Sequence, residues 1–195
     1  MRRRGEHREV EIKLRVAGAA QARRLLEQHG FRRLGPRVLQ DDAVLDTAGG
    51  RLRKAGVLLR LRRAGKRAAL TYKGRAAAGR YKDREEIELA LEGAAAARLE
   101  RLFERLGLRP VFRYQKRRSE YGRPGRPGLI ALDETPIGVF LELEGPPAWI
   151  DRTARRLGFS AADYITRTYA ELYCEHCRRQ GRRPGNMLFG AGGGR

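Results

Sequence analysis

The sequence is short of cysteine, with two in 195 residues. Cys174 and Cys177 flank His176 in a Cys-x-x-Cys spacing, and no second Cys/His cluster follows. A structural zinc site needs four ligands, so the pair reads as neighbouring thiols near the end of a helix, without a metal or redox role. Long apolar runs are absent too. No stretch of eighteen apolar residues exists, which excludes a membrane-spanning helix. Met1-Arg2-Arg3-Arg4 is basic, but no apolar stretch follows it as a signal peptide requires, so the expected location is cytoplasmic. The small-residue loop Gly74–Gly79 lacks the Gly-Lys-Ser/Thr ending of a P-loop and receives no phosphate role. Lysine is scarce: six of the 43 basic residues, the rest being arginine. A GC-rich genome produces such a bias without functional demand, which weakens any nucleic-acid inference drawn from arginine alone.

What is abundant is positive charge. The net charge is +20 and the pI about 11.2, which points to polyanionic partners: nucleic acid, anionic membrane or phosphorylated small molecules. Hydrophobic residues make up 41%, enough for a packed core. No internal linker separates two cores, so residues 1–177 read as one domain. Residues 178–195 read as a basic, Gly/Arg-rich tail that is expected to be disordered, with Met187-Leu188-Phe189 as the apolar triplet able to dock.

The organising stretch is Glu9-Val10-Glu11-Ile12-Lys13. Successive side chains of a strand point to opposite faces, so Glu9, Glu11 and Lys13 share one face and Val10, Ile12 and Leu14 the other. Two carboxylates about 6.6 Å apart along a strand suit hard cations, and a lysine beside them suits a phosphate held by the same cations. On this stretch alone, an exposed edge strand of mixed charge is the favoured reading; the rest of the chain shifts the balance.

The pattern then repeats. Strands are expected at 9–16, 37–46, 57–63, 68–73, 84–91, 110–121, 129–133 and 137–144. Helices are expected at 17–30, 93–106, from Pro146-Pro147 to Leu157, and over roughly 162–177. In at least six strands one face is charged and the other apolar. The charged faces carry the acids Glu9, Glu11, Glu86, Glu88, Asp133, Glu142 and Glu144. They also carry the bases Lys13, Arg60, Arg62, Lys73, Arg84, Lys116 and Arg118. If these faces met water, the apolar faces would form a sandwich and leave the helices' apolar stripes little to cover. The consistent solution is an α+β fold: a closed eight-stranded antiparallel barrel, helices packed outside and charges lining the lumen. So many charges facing one another are costly unless neutralised, and cations with a polyanion would neutralise them.

These residues resemble a known family. Glu9-x-Glu11-x-Lys13 looks like the signature of the CYTH, or triphosphate tunnel metalloenzyme, superfamily, which holds class IV adenylate cyclases, thiamine triphosphatases and inorganic triphosphatases. Gln40-x-Asp42, Leu45-Asp46-Thr47, Leu59-Arg60-Leu61-Arg62, Leu70-Thr71-Tyr72-Lys73, Arg84-Glu85-Glu86-Ile87-Glu88, Lys116-x-Arg118, Asp133 and Gly138–Glu144 follow in the family's order. Thr168-Tyr169-Ala170-Glu171-Leu172 is similar to its closing helix, and the resemblance runs from about Glu9 to Tyr173. Val44 stands where the family has an aromatic residue, and Thr168 where it has serine; neither change removes a lumen charge.

The resemblance implies roles. Glu9, Glu11, Asp133, Glu142 and Glu144 are similar to the cation ligands, supported by Glu86 and Glu88, with Mg²⁺ or Mn²⁺ as the cofactor. Lys13, Arg60, Arg62, Lys73, Arg84, Lys116 and Arg118 are similar to the phosphate clamp. Glu11, Lys13 and Glu144 are the residues expected nearest the chemistry, with Glu11 or Glu144 accepting a proton from water. The implied function is hydrolysis of a triphosphate compound: inorganic triphosphate, thiamine triphosphate or a nucleoside triphosphate. The rival on the same fold is conversion of ATP to cyclic AMP and pyrophosphate. A non-catalytic polyphosphate or RNA binder is the rival of another class, but such a binder gains nothing from seven lumen carboxylates. The expected partner is therefore a triphosphate-containing small molecule, not nucleic acid or membrane. The oligomeric state is left open, a homodimer being admissible.

Overall fold

A computed structural model describes residues 6–190. The chain runs β1 (Glu6–Val16), α1 (Ala19–Gln28), β2 (Arg32–Arg33), β3 (Val38–Asp46), α2 (Arg51–Lys54), β4 (Leu58–Ala64), β5 (Arg67–Lys73) and β6 (Lys82–Glu92). It continues with α3 (Gly93–Arg105), β7 (Arg109–Gly122), β8 (Leu129–Thr135), β9 (Gly138–Glu144), α4 (Pro147–Arg156), a 3-10 turn (Ala161–Asp163) and α5 (Tyr169–Arg179). The sheet order is β2-β7-β3-β4-β5-β6-β1-β9-β8, and β8 pairs back onto β7. Eight strands thus close into an antiparallel barrel, and the two-residue β2 hangs on the end of β7 through Arg32 and Arg33. Closure removes the free edges that an open sheet of this length would expose.

The alternating pattern puts apolar residues outside the barrel, where helices cover them. Ile12 and Leu14 of β1, Ile130 and Leu132 of β8, and Leu141 and Leu143 of β9 are all fully buried. They pack with Ala22 and Leu26 of α1 and Trp149, Ile150 and Ala154 of α4. Across the barrel, Leu45, Leu61 and Ala68 pack under Ala96 and Phe103 of α3. One glycine is dictated by this packing. Gly128 adopts φ +88°, and a Cβ there would sit 2.4 Å from the Trp149 indole, so only glycine lets that ring lie flat on the chain entering β8.

The barrel and its outer helices are those expected from the sequence, and the differences are local. β6 starts at Lys82, two residues before the expected Arg84, which adds Lys82 to the lumen face. Asp46 nucleates the one-turn α2, accepting hydrogen bonds from the backbone N–H of Thr47, Leu52 and Arg53 at 2.7, 2.9 and 3.0 Å. The final helix starts at Tyr169, not near 162. Ile165 instead exchanges backbone hydrogen bonds with Lys13, at 2.8 and 2.9 Å. The helix then begins at a capping box in which Glu171 N–H donates to Thr168 Oγ1 (3.2 Å) and Thr168 N–H to the Glu171 carboxylate (2.7 Å). The tail expected to be disordered from 178 is placed as far as residue 190: α5 runs on to Arg179, and Met187 is buried to 1% exposure. Residues 191–195 of that tail lie outside the described residues. Cys174 is exposed and Cys177 buried, both as free thiols on α5.

Candidate functional site

The lumen holds a cavity of about 250 Å³. Its position follows from register. Glu9, Glu11 and Lys13 on β1 face Arg84 and Lys82 on β6, and Glu144 and Glu142 on β9. Lys73 of β5 lies opposite Glu86, and Thr71 opposite Glu88. Arg118 of β7 lies opposite Asp133 of β8. Every residue expected at the site lines this cavity except Asp133, which is fully buried in the wall behind it. The sequence reading missed Lys82, Asp42, Tyr114, Glu120 and Tyr169 as members of the site. The period of two could have found Lys82, which precedes Arg84 on the same face. It could also have found Asp42, two residues from Gln40. Tyr169 comes from the first turn of α5, and strand periodicity carries no signal for it.

The charged groups form ion-paired layers. Glu11 Oε1 receives Lys13 Nζ at 3.1 Å and Lys82 Nζ at 2.8 Å. Lys13 also reaches Glu142 Oε1 at 3.2 Å. Glu9 is held by Lys73 and by Arg84 Nε at 3.1 Å, and Lys73 reaches Glu86 at 3.1 Å. Arg118 forks onto Asp133 with Nε–Oδ1 2.7 Å and Nη2–Oδ2 2.6 Å and also pairs with Glu142. Lys116 Nζ reaches Asp133 at 2.8 Å, and the Tyr169 hydroxyl donates to the same carboxylate at 2.8 Å. Asp42 accepts Arg62 at 2.8 and 3.3 Å, with Arg60 Nε 3.5 Å away. Arg60 Nη2 donates to Thr71 Oγ1 (3.2 Å), which donates on to Glu88 (3.1 Å).

Two groups are less fully engaged. The Arg60 Nε–H is buried 3.5 Å from Asp42, inside that ion pair but without a hydrogen bond. Glu144 makes no ion pair with a described residue, and burial together with the charges of Glu9 and Glu11 pushes its carboxyl up to about 7. Elsewhere the pairs decide the protonation. Burial opposes ionisation of Glu11 and Glu142, but Lys13 and Lys82 beside the first, and Lys116 and Lys13 beside the second, hold both carboxyls well below the usual range. Burial lowers Lys82 to about 8 despite Glu11; it lowers Lys116 to about 8 with help from the Arg118 charge. Lys13, between Glu11 and Glu142, is raised.

The cavity is lined by eight basic and seven acidic side chains, so the empty lumen is close to neutral. Tyr169 and Tyr114, both almost fully buried, enter the wall at one end. At the other end the lining side chains Glu88 and Glu120 are exposed. No helix among the described residues is long and apolar enough to cross a membrane.

Fold and site together define a closed barrel with a charge-lined tunnel able to receive a polyanion. The chain belongs to the CYTH family: the CYTH domain model matches residues 7–169, and the family's members are triphosphatases or adenylate cyclases. Solved structures share the fold. A Pyrococcus horikoshii OT3 protein is 26% identical, covering 86% of this chain and 99% of its own, at a TM-score of 0.71. A Vibrio parahaemolyticus protein proposed to be an adenylate cyclase is 21% identical over 84% of this chain and 96% of its own, at 0.70. A Hippeastrum protein, first proposed as an adenylyl cyclase and described with a dominant triphosphatase activity, is 18% identical over 90% of this chain and 97% of its own, at 0.56. Among curated proteins, none matches the sequence significantly.

Proposed function

We propose that the protein hydrolyses a triphosphate compound in this tunnel, with inorganic triphosphate, thiamine triphosphate or a nucleoside triphosphate as the substrate class and Mg²⁺ or Mn²⁺ as the cofactor. The observation that carries the reading is the near-neutral lumen in which the Arg60 Nε–H makes no hydrogen bond and Glu144 makes no ion pair with a described residue. Arg60, Arg62, Lys73, Arg84, Lys116 and Arg118, joined by Lys82 and Lys13, would exchange carboxylate partners for phosphate oxygens. The carboxylates so released would carry uncompensated charge, and a triphosphate brings several negative charges more. Divalent cations entering with the substrate restore the balance.

The donor set suits such cations. Among the described residues no three carboxylates stand together as a ready-made cage. Mg²⁺, however, takes one or two carboxylates and completes its shell with water and substrate phosphates. Glu9 and Glu11 of β1 and Glu144 of the adjoining β9, which repel one another, are the proposed holders, with Glu142, Asp133, Glu86 and Glu88 around them. When bound, the metal supplies charge neutralisation and a lowered pKa for water. The chain's own part is positioning. Water forms a bond to the terminal phosphorus, the bridging P–O bond breaks, and the proton passes to a carboxylate while diphosphate leaves. Glu11 is engaged by two lysines, whereas Glu144 makes no ion pair with a described residue, so Glu144 is the proposed acceptor. The second reading, cyclisation of ATP, uses the same residues. The test is purified protein with tripolyphosphate, ATP and thiamine triphosphate, each with Mg²⁺ or Mn²⁺, and the products separated.

A further inference from the structure

At one end of the barrel two seams open. The β1–β6 ladder stops at Glu11 and Lys82, leaving the edge of β1 at Lys13 unpaired by β6. The β7–β8 ladder stops at Arg117 and Glu134, leaving the edge of β7 at residues 113–115 unpaired by β8. The C-terminal region fills both. Ile165 takes the Lys13 edge, and Met187 takes the β7 edge, its N–H donating to Arg113 O (2.9 Å) and its carbonyl accepting from Gln115 N–H (2.9 Å). Three more bonds hold this second clasp: Arg113 N–H to Asn186 Oδ1 (2.9 Å), the Tyr173 hydroxyl to Asn186 O (3.1 Å) and Phe189 N–H to Gln115 Oε1 (3.3 Å). The Arg117 guanidinium lies 4.4 Å from the Phe189 ring.

The clasp lies beyond the family match, which ends at residue 169. It nevertheless supports the cavity wall. Met187 packs in one cluster with Tyr114 and Tyr169. The Tyr114 hydroxyl accepts from Arg60 Nη1 at 3.5 Å, and the Tyr169 hydroxyl donates to Asp133. The ammonium groups of Lys13 and Lys116 stand 5.4 and 5.0 Å from the Tyr169 ring centre. Three phosphate-facing bases therefore lean on two tyrosines, and the clasp backs both.

We propose that the segment Asn186–Phe189 is a positioning element of the tunnel, and that Met187 fixes Tyr114 and Tyr169, and through them Arg60, Lys13 and Lys116, for a bound phosphate chain. The proposal rests on the reading of the tunnel as a phosphate site. It makes the tyrosine end a preorganised wall and leaves the end beside Glu88 and Glu120 for substrate entry.

The experiment compares wild type, Met187→Ala and Met187→Leu as full-length chains. Tripolyphosphate affinity is measured by calorimetry and ligand-free stability by thermal unfolding, with kcat and KM where turnover is seen. Met187→Ala is expected to weaken tripolyphosphate binding about ten-fold, the scale of one weakened charge-assisted contact, and to raise KM alike, with a smaller change in kcat. Met187→Leu, which keeps the volume, is expected to bind as wild type does. Phe189→Ala, which loosens the clasp without opening the core, should show the same direction more weakly. A lowered unfolding temperature with unchanged affinity in both alanine variants would reduce the clasp to a structural role and overturn the proposal. No tripolyphosphate binding by wild type would overturn the phosphate reading and the clasp proposal together.

Discussion

Glu11 and Glu144 are register partners across the β1–β9 ladder, two carboxylates side by side on the lumen face. Like charges directly opposite are destabilising, and the two are not treated alike: Glu11 holds two lysines, and Glu144 holds none. Glu144→Gln is therefore expected to raise the stability of the metal-free protein at pH 8, by up to about 3 kcal/mol on the linkage scale, while abolishing turnover. Thermal unfolding in chelator and a steady-state assay check the two halves. Near-wild-type activity would remove Glu144 from the site.

The same contrast fixes a pH dependence. The folded chain holds the Glu144 proton up to about pH 7, whereas in the unfolded chain the carboxyl ionises in its ordinary range near 4.5. The folded state thus binds more protons between these values, and its stability falls as pH rises through that window. The carboxyls of Glu11 and Glu142, held low, act with opposite sign: their stabilising contribution is present above the ordinary carboxylate range and is lost as pH falls below it. Metal-free unfolding of wild type and Glu144→Gln across pH 5–8 should show the slope in wild type alone.

Lys82 and Lys116, each lowered to about 8, give a second titration of opposite consequence. A phosphate chain binds the charged amines, so tripolyphosphate affinity is expected to fall as pH rises past 8, with proton uptake on binding. Arginine keeps its charge throughout this range. Lys82→Arg should hold a larger share of its pH 7 affinity at pH 9 than wild type does. Calorimetry in buffers of differing ionisation enthalpy reads both the affinity and the proton uptake.

Asp42 tests the framework beneath the clamp. It is fully buried and binds Arg62 in a fork, with Arg60 alongside. Removing one member of a buried pair leaves the other charge uncompensated, at about 3–5 kcal/mol. Asp42→Ala is expected to lose stability on that scale and to recover part of it in tripolyphosphate, which can face both guanidinium groups. Unfolding temperature with and without the ligand measures it; equal ligand shifts in variant and wild type would place the phosphates elsewhere.

What the sequence made legible was whatever repeats with period two. Glu9, Glu11 and Lys13, or Arg84, Glu86 and Glu88, declare their face because each strand alternates, and the helices' apolar stripes then leave one closed arrangement. The period also holds Lys82, two residues before Arg84 on β6, and Asp42, two residues after Gln40 on β3. Tyr169 and Met187 were beyond it. Tyr169 reaches the lumen because Thr168 and Glu171 start a helix at one end of the barrel. Met187 is ordered because β7 outruns β8, a property of strand ends in space. Tyr114 stacks on Phe112, and its own hydroxyl accepts from Arg60.

The remaining choice lies between hydrolysis and cyclisation, and the shared clamp cannot make it. A cyclase must also seat adenine and bring the ribose 3′-oxygen in line with the α-phosphorus, which asks for an apolar or aromatic slot beside the phosphates. Of the described residues lining the cavity, the apolar side chains are Leu58 and Leu129, which stand apart on β4 and β8, and the exposed lining side chains are the acidic Glu88 and Glu120. The aromatic rings, Tyr114 and Tyr169, are at the other end and already committed: Tyr114 is stacked on Phe112, and Tyr169 stands edge-on to Phe140 beneath two lysines. Seating a base there would require breaking the Tyr169–Asp133 hydrogen bond and displacing a packed ring. Hydrolysis needs none of this. The expected outcome is orthophosphate from tripolyphosphate with Mg²⁺ or Mn²⁺, and no cyclic AMP from ATP under the same conditions. Stoichiometric cyclic AMP and pyrophosphate would reverse the assignment and imply that Tyr114 or Tyr169 moves when the nucleotide binds.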